Sequence, residues 1–188
     1  MERARRRKAT RPLNESSLDE LALRYVGRFA TTRAKLRSYL ARKVRDRGWD
    51  GAREPDFAGI AGRFADQGYV DDSAYALAKS QSLTGRGYGK QRVLQTLRAA
   101  GVDDDEGIAA RRHAEEEAVS AALRFARRRR VGPYGATEVR DPKDRQKALA
   151  AMVRAGHGFG LARAILELPP GAELNIEQLS EHNRLTDV

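Results

Sequence analysis

Apolar residues recur at helical spacing along most of this chain, and that restricts its fold more than any single motif. Leu18, Leu21, Ala22, Tyr25, Val26 and Phe29 stand at i, i+3, i+4, i+7, i+8 and i+11. This spacing puts all six on one face of an α-helix, whereas a strand would need a period of two. The pattern returns at long, regular intervals. Ala22-Leu23-Arg24-Tyr25 recurs 100 residues later as Ala122-Leu123-Arg124-Phe125. Leu36, Leu40 and Val44 align with Val93, Leu97 and Gly101 and with Ala148, Met152 and Gly156, at offsets of 57 and 55 residues. A unit of three short helices cannot bury its apolar face alone, so such units stack on their neighbours. Ala and Leu together supply 48 residues against four Ile, which favours helix over strand. The expected fold is all-α: three tandem three-helix repeats forming an elongated, curved helical array.

Capping and breaking residues set the expected boundaries. Ser17 with Glu20 reads as a capping box for the first helix, and Thr31-Thr32 as the cap of the second. Gly48-Trp49-Asp50-Gly51 and Pro55 mark a loop, with Trp49 a half-exposed plug. A third helix carries Phe57, Ile60, Ala61 and Phe64 and ends at Gly68. Asp71-Asp72-Ser73 and Asp103-Asp104-Asp105 read as caps of the helices that follow them. Glu115–Arg130 reads as one longer helix, Gly132, Pro133, Gly135 and Pro142 as a loop, and 143–155 and 159–168 as the last two helices. The expected organisation is a basic disordered arm at 1–15, repeats at 16–70, 71–114 and 115–168, and an acidic C-terminal tail at 169–188.

Charge then points to a partner class. The 188 residues carry a net charge of +10, and residues 1–14 hold half of it. The last 22 residues are acidic, so the repeats themselves are about +9. Such an excess favours a polyanion, because each phosphate contact releases condensed counterions; arginine spent on solvated helix faces is the plain alternative. No apolar run approaches the ~18 residues that span a bilayer, and no secretory leader is visible. The chain is expected in the cytoplasm, with no membrane partner.

Catalytic chemistry finds no support. Cysteine is absent, which removes disulfides and thiolates. His113, His157 and His182 are scattered without metal-ligand spacing, so no metal and no cofactor is expected. Gly85-Arg86-Gly87-Tyr88-Gly89 lacks a preceding strand, dinucleotide spacing and a Lys-Ser/Thr pair, so it reads as an inter-helix turn whose flexibility lets a basic surface adapt. The candidate contact residues are Arg86, Lys90, Arg92 and Arg98 with Arg127, Arg128, Arg129 and Arg130, then Arg33, Lys35 and Arg37. For the four consecutive arginines, a solvated helix end and a phosphate or acidic-protein contact are equally compatible with the pattern. Few aromatics lie among the charges, which disfavours base stacking. Tyr39 and Tyr88 are the only well-placed ones, and both suit core or turn packing.

Two stretches carry a family resemblance. Gly68-Tyr69-Val70-Asp71-Asp72-Ser73, followed by Ala74-Tyr75-Ala76, resembles the signature of the RecX family, regulators of the RecA recombinase. Gly87-Tyr88-Gly89-Lys90-Gln91-Arg92-Val93-Leu94-Gln95-Thr96-Leu97, closed by Gly101-Val102, resembles that family's second-repeat stretch. The resemblance spans about residues 18–168. Thr32, Lys35 and Thr96 depart from it, and the third repeat, with the loop 131–143, diverges most. It implies a non-enzymatic monomer that binds RecA and the RecA–single-stranded-DNA filament. It further implies lowered recombinase, ATPase and co-protease activity, with weak, non-specific binding of single- and double-stranded DNA. An autonomous DNA-binding protein acting without RecA is the alternative.

Overall fold

The computed structural model describes residues 11–138 and 141–185. Among them the chain is all-α, with ten α-helices, one 3₁₀ turn and no strand. It divides into two compact units, Met1–Asp72 and Ser73–Val188.

The first unit holds α1 (Glu15–Val26), α2 (Arg33–Arg47) and α3 (Phe57–Asp66). Their shared core is Leu18, Ala22, Leu36, Leu40, Ile60, Ala61, Phe64 and Val70, with Leu13 added from outside the helices. Leu13, Leu36 and Leu40 are fully buried, and each such side chain contributes about 2 kcal/mol of transfer free energy. The expected arm is therefore shorter than 1–15 at its inner end. The Leu13 amide donates to Gly48 O (2.9 Å) and its carbonyl accepts from the Asp50 N–H (2.7 Å), an isolated bridge to the Trp49 loop. Residues 1–10 of that arm lie outside the described residues. Trp49 is partly exposed and donates its indole N–H to Arg53 O at 2.7 Å.

The cap of α1 lies three residues before the expected one. Asn14 is the N-cap: its Oδ1 accepts from the Ser17 N–H, and the Ser17 hydroxyl returns the contact to the Asn14 N–H. Ser17 thus fills the third position of the box rather than the first, because asparagine caps as well as serine does. Thr32 caps α2 as expected, accepting from the Lys35 N–H at 3.1 Å. At the end of α3, Gly68 takes φ +76°, and the Gly68 and Tyr69 amides return to Ala65 O and Phe64 O. That reversal needs a left-handed residue and puts Val70 back into the core.

The second unit begins within α4 (Asp72–Gly85) and continues through α5 (Lys90–Ala99) and α6 (Ile108–Glu116). Ala76, Leu83, Val93, Leu97, Ala110 and Ala114 form one core cluster. Its second cluster joins α7 (Ala118–Arg129), α8 (Pro142–Arg154), α9 (Phe159–Glu167) and α10 (Ile176–Leu185). The helices thus run in three successive sets of three plus α10. Val93 with Leu97 in α5, and Met152 in α8, occupy the buried positions that Leu36 and Leu40 hold in α2.

Three expectations fail here. Glu115–Arg130 is not one helix: α6 ends at Glu116, Glu117 lies at φ −89°, ψ 3°, and α7 starts at Ala118. Asp103–Asp105 cap nothing. Gly107 precedes α6 without a side-chain cap, and Asp104 instead pairs with Arg111 at 2.9 Å. The C-terminal segment is not merely a tail, since α10 buries Leu179 in the last core. Asn183 also donates to Glu115 Oε1 at 3.1 Å. Residues 186–188 of that segment, and 139–140 of the loop before α8, lie outside the described residues.

Candidate nucleic-acid and partner interface

The turn between α4 and α5 organises the basic residues of the second unit, and it is clamped from two sides. Gly87, at φ +76°, lies against the α7 backbone: a Cβ there would come within 3.0 Å of Phe125 N. Gly89 N–H donates to Ala155 O (3.0 Å) and Gln91 N–H to Gly156 O (3.1 Å). The carbonyls of Ala155 and Gly156, just past the end of α8, therefore accept from the N-cap and first-turn amides of α5, which has no side-chain cap of its own. Two helix ends that would each need separate partners complete one another, with their dipoles head to tail. A Cβ at Gly89 would sit 2.2 Å from Gly156 O, and one at Gly156 2.4 Å from Arg92 N. The expected adaptable loop is instead a fixed junction.

His157 fills the space beside it. It is 4% exposed, its Nε2 lies 3.2 Å from Gly87 O, and its ring packs edge-on against Phe125 at 5.4 Å. Burial pushes its pKa down to about 4; the Gly87 carbonyl opposes that shift and the nearby Arg128 charge adds to it. The ring is thus neutral at physiological pH, and Nε2–H donates to Gly87. Its Nδ1 has no partner among the described residues.

The arginines stand around this junction in unequal states. Arg128 donates to Arg86 O and lies over Phe125 at 5.5 Å, so it ties the end of α7 to the α4–α5 turn. Arg86 covers Tyr88 at 5.4 Å, and Arg129 also lies over Phe125 at 5.7 Å. Lys90 pairs with Glu115 at the end of α6. Arg92 reaches Gln95 at 3.1 Å. Arg92, Arg98, Arg127, Arg129 and Arg130 are exposed and make no ion pair among the described residues. Arg98 stands about 12 Å along α5 from Lys90, beside Leu97, Val102 and Ile108 and away from the junction. Arg130 is the lone non-glycine described residue with positive φ, at 54°.

In the first unit the candidates also separate. The Arg33 backbone N–H donates to Asp72 Oδ1 (2.9 Å) and its Nε approaches Oδ2 (3.5 Å). Asp72, one of the three residues read as a cap for the helix that follows, is the first residue of α4 and also caps α2 from outside, and Arg33 is held in place by it. Lys35 is half-buried in the first turn of α2, and Arg37 is exposed. What sequence reasoning missed is an aromatic group. Tyr25 stacks on Tyr39 (4.1 Å between centroids, 14° between planes), and Phe29 leans on Tyr25 at 5.4 Å. Arg42 and Lys43 stand over Tyr39 at 5.8 and 5.5 Å. The i, i+4 pair Tyr25/Phe29 was visible in the sequence, but its meeting with Tyr39 needed the α1–α2 packing.

The described residues therefore form a helical-repeat protein with basic surfaces, without any group of three residues that could hold a metal ion and without a helix long and apolar enough to cross a membrane. No protein-family model matches the sequence. The regulatory protein RecX of Myxococcus xanthus (strain DK1622) is 30% identical over 172 residues, which cover 87% of this chain and 91% of that one. The regulatory protein RecX of Xanthomonas citri is 34% identical over 129 residues, covering 68% and 75%. The crystal structure of RecX from Lactobacillus salivarius superposes with a TM-score of 0.54 at 16% identity, over 92% of this chain and 96% of that one. A second crystal structure of regulatory protein RecX gives 0.54 at 18% identity, over 81% and 69%. The chain belongs to the RecX family, whose members are described as regulatory proteins.

Proposed function

We propose that this protein binds RecA and the RecA–single-stranded-DNA filament as a monomer and lowers recombinase, ATPase and co-protease activity. Membership of the RecX family carries this reading. The exposed guanidinium groups of Arg92, Arg127, Arg129 and Arg130 support it, since none of them forms an ion pair among the described residues. Docking along the filament brings them to phosphate or to acidic protein groups and blocks extension or competes with substrate DNA.

The test is the single-stranded-DNA-dependent ATPase of the cognate RecA, with this protein titrated far below RecA and DNA in excess. Inhibition at low ratios is the expected result. Inhibition only near saturation of the DNA means simple lattice competition, and no effect at any ratio overturns the reading. Arg92→Glu combined with Arg127→Glu weakens inhibition with helicity unchanged. Lys90 does not suit charge reversal, because a carboxylate there would face Glu115.

A further inference from the structure

We propose that the Phe29–Tyr25–Tyr39 ladder of the first unit is a stacking site for the bases of single-stranded nucleic acid, with Arg28, Arg42 and Lys43 holding the adjoining phosphates. This proposal uses other residues than the arginines considered above and goes beyond the RecA reading, as it requires no RecA.

The geometry argues for an unfinished stack. Tyr25 and Tyr39 lie nearly parallel with centroids 4.1 Å apart, the separation and tilt of a stacked pair. Both rings are partly buried and pack against the core of the first unit. Arg42 and Lys43 cover the Tyr39 end. At the other end Phe29 tilts 48° from Tyr25 and is 57% exposed, just beyond the last residue of α1. A phenylalanine held by one aromatic neighbour and open to solvent offers a ring face that water solvates poorly and a base covers well.

The surrounding charge selects the occupant. Arg28, Arg42 and Lys43 form no ion pair among the described residues, whereas nearby Arg24 is taken by Glu20 at 2.8 Å. An exposed ring at one end of a stack, with cations that form no ion pair next to it in sequence and over its other end, suits a ligand that alternates flat apolar groups with negative charges. Single-stranded nucleic acid has that alternation; duplex DNA hides its base faces within its own stack. An acidic helix of a partner protein matches the charge but offers no planar group for the ladder.

The test measures fluorescence anisotropy of the full chain with an oligothymidylate of about 15 nucleotides and with a base-less phosphodiester of equal length. Phe29→Ala is expected to weaken oligothymidylate binding by about tenfold and to leave the base-less strand unaffected. Phe29→Trp restores binding, and the helical circular dichroism of both variants matches the parent. Arg42→Gln with Lys43→Gln lowers affinity for both strands and reduces the salt slope by about two. Unchanged affinity of Phe29→Ala overturns the proposal, as does an equal loss on both strands. Loss of RecA inhibition by Phe29→Ala with oligothymidylate affinity intact also overturns it and assigns the ring to a protein contact.

Discussion

Asp72 caps a helix that starts 39 residues before it: its Oδ1 accepts from the Arg33 backbone N–H at 2.9 Å, while its Oδ2 lies 3.5 Å from the Arg33 Nε. The carboxylate is 2% exposed, so it loses water in order to reach the positive end of α2. The two contacts differ in weight. The amide contact is partly buried and charge-assisted, whereas the Arg33 side chain is 39% exposed and its ion pair is screened by water. Asp72→Ala is expected to cost about 2 kcal/mol, lowering Tm by roughly 4–10 °C. Arg33→Ala is expected to cost under about 1 kcal/mol. Thermal unfolding followed by circular dichroism checks both, and equal losses would refute this ranking.

His157 makes stability depend on acidity. Its pKa is about 4 in the fold against 6.5 when unfolded, so between these values the unfolded chain binds more protons. Its contribution is complete above pH 6.5, falls as the pH drops, and is lost by about pH 4. The difference amounts to about 3 kcal/mol. Urea midpoints of the parent and of His157→Gln, measured from pH 7.5 to pH 4.5, isolate this from carboxylate titration. The parent falls more steeply across the window, and parallel slopes would mean that the ring takes up its proton as readily in the fold as in the unfolded chain.

The glycines at the junction of α8 with α5 and the glycine inside α3 have opposite expected outcomes. Gly89→Ala and Gly156→Ala drive a methyl into backbone at 2.2 and 2.4 Å and part the two helix ends. Each is expected to cost more than about 2 kcal/mol, because backbone on both sides must move. Gly62, inside α3, behaves otherwise, since a methyl on its Cα would meet nothing within 4 Å. Gly62→Ala is expected to stabilise by about 0.5–1 kcal/mol through helix propensity. Chemical denaturation of the three variants gives the signs directly.

The same features show where sequence reading reaches its limit. Helix faces were legible because Leu36, Leu40, Val93, Leu97 and Met152 obey a local period, and Thr32 and Gly68 act on their own helices. The reach of Asp72 to α2 was not legible, because an acidic residue at a helix start looks the same whether or not it also caps another helix. Leu13 and Leu179 were missed as lone apolar residues outside any clear repeat, buried only through tertiary contacts. Charge counting located the arginines but could not separate Arg33 and Lys90, already engaged by Asp72 and Glu115, from exposed Arg127. The Tyr25–Tyr39 stack spans two helices, so no single window of sequence contains it.

Arg130 closes α7 in the left-handed conformation, φ 54° and ψ 50°. At the matching point after α3, α5 and α8 the chain uses Gly68, Gly101 and Gly156. The Arg130 N–H returns to Arg127 O and the Val131 N–H to Ala126 O, so the turn is the same one made with a side chain that disfavours it. The cost is about 1 kcal/mol. Arg130→Gly is therefore expected to raise stability by about that amount, despite the loss of a cation at the negative end of the helix. If the guanidinium contacts the filament, this stabilised variant inhibits the RecA ATPase less well than the parent. Denaturation and ATPase titration of the one protein separate the two effects: a gain in stability with full inhibition would remove Arg130 from the contact surface and leave Arg127 and Arg129 as the arginines at this helix end to test next.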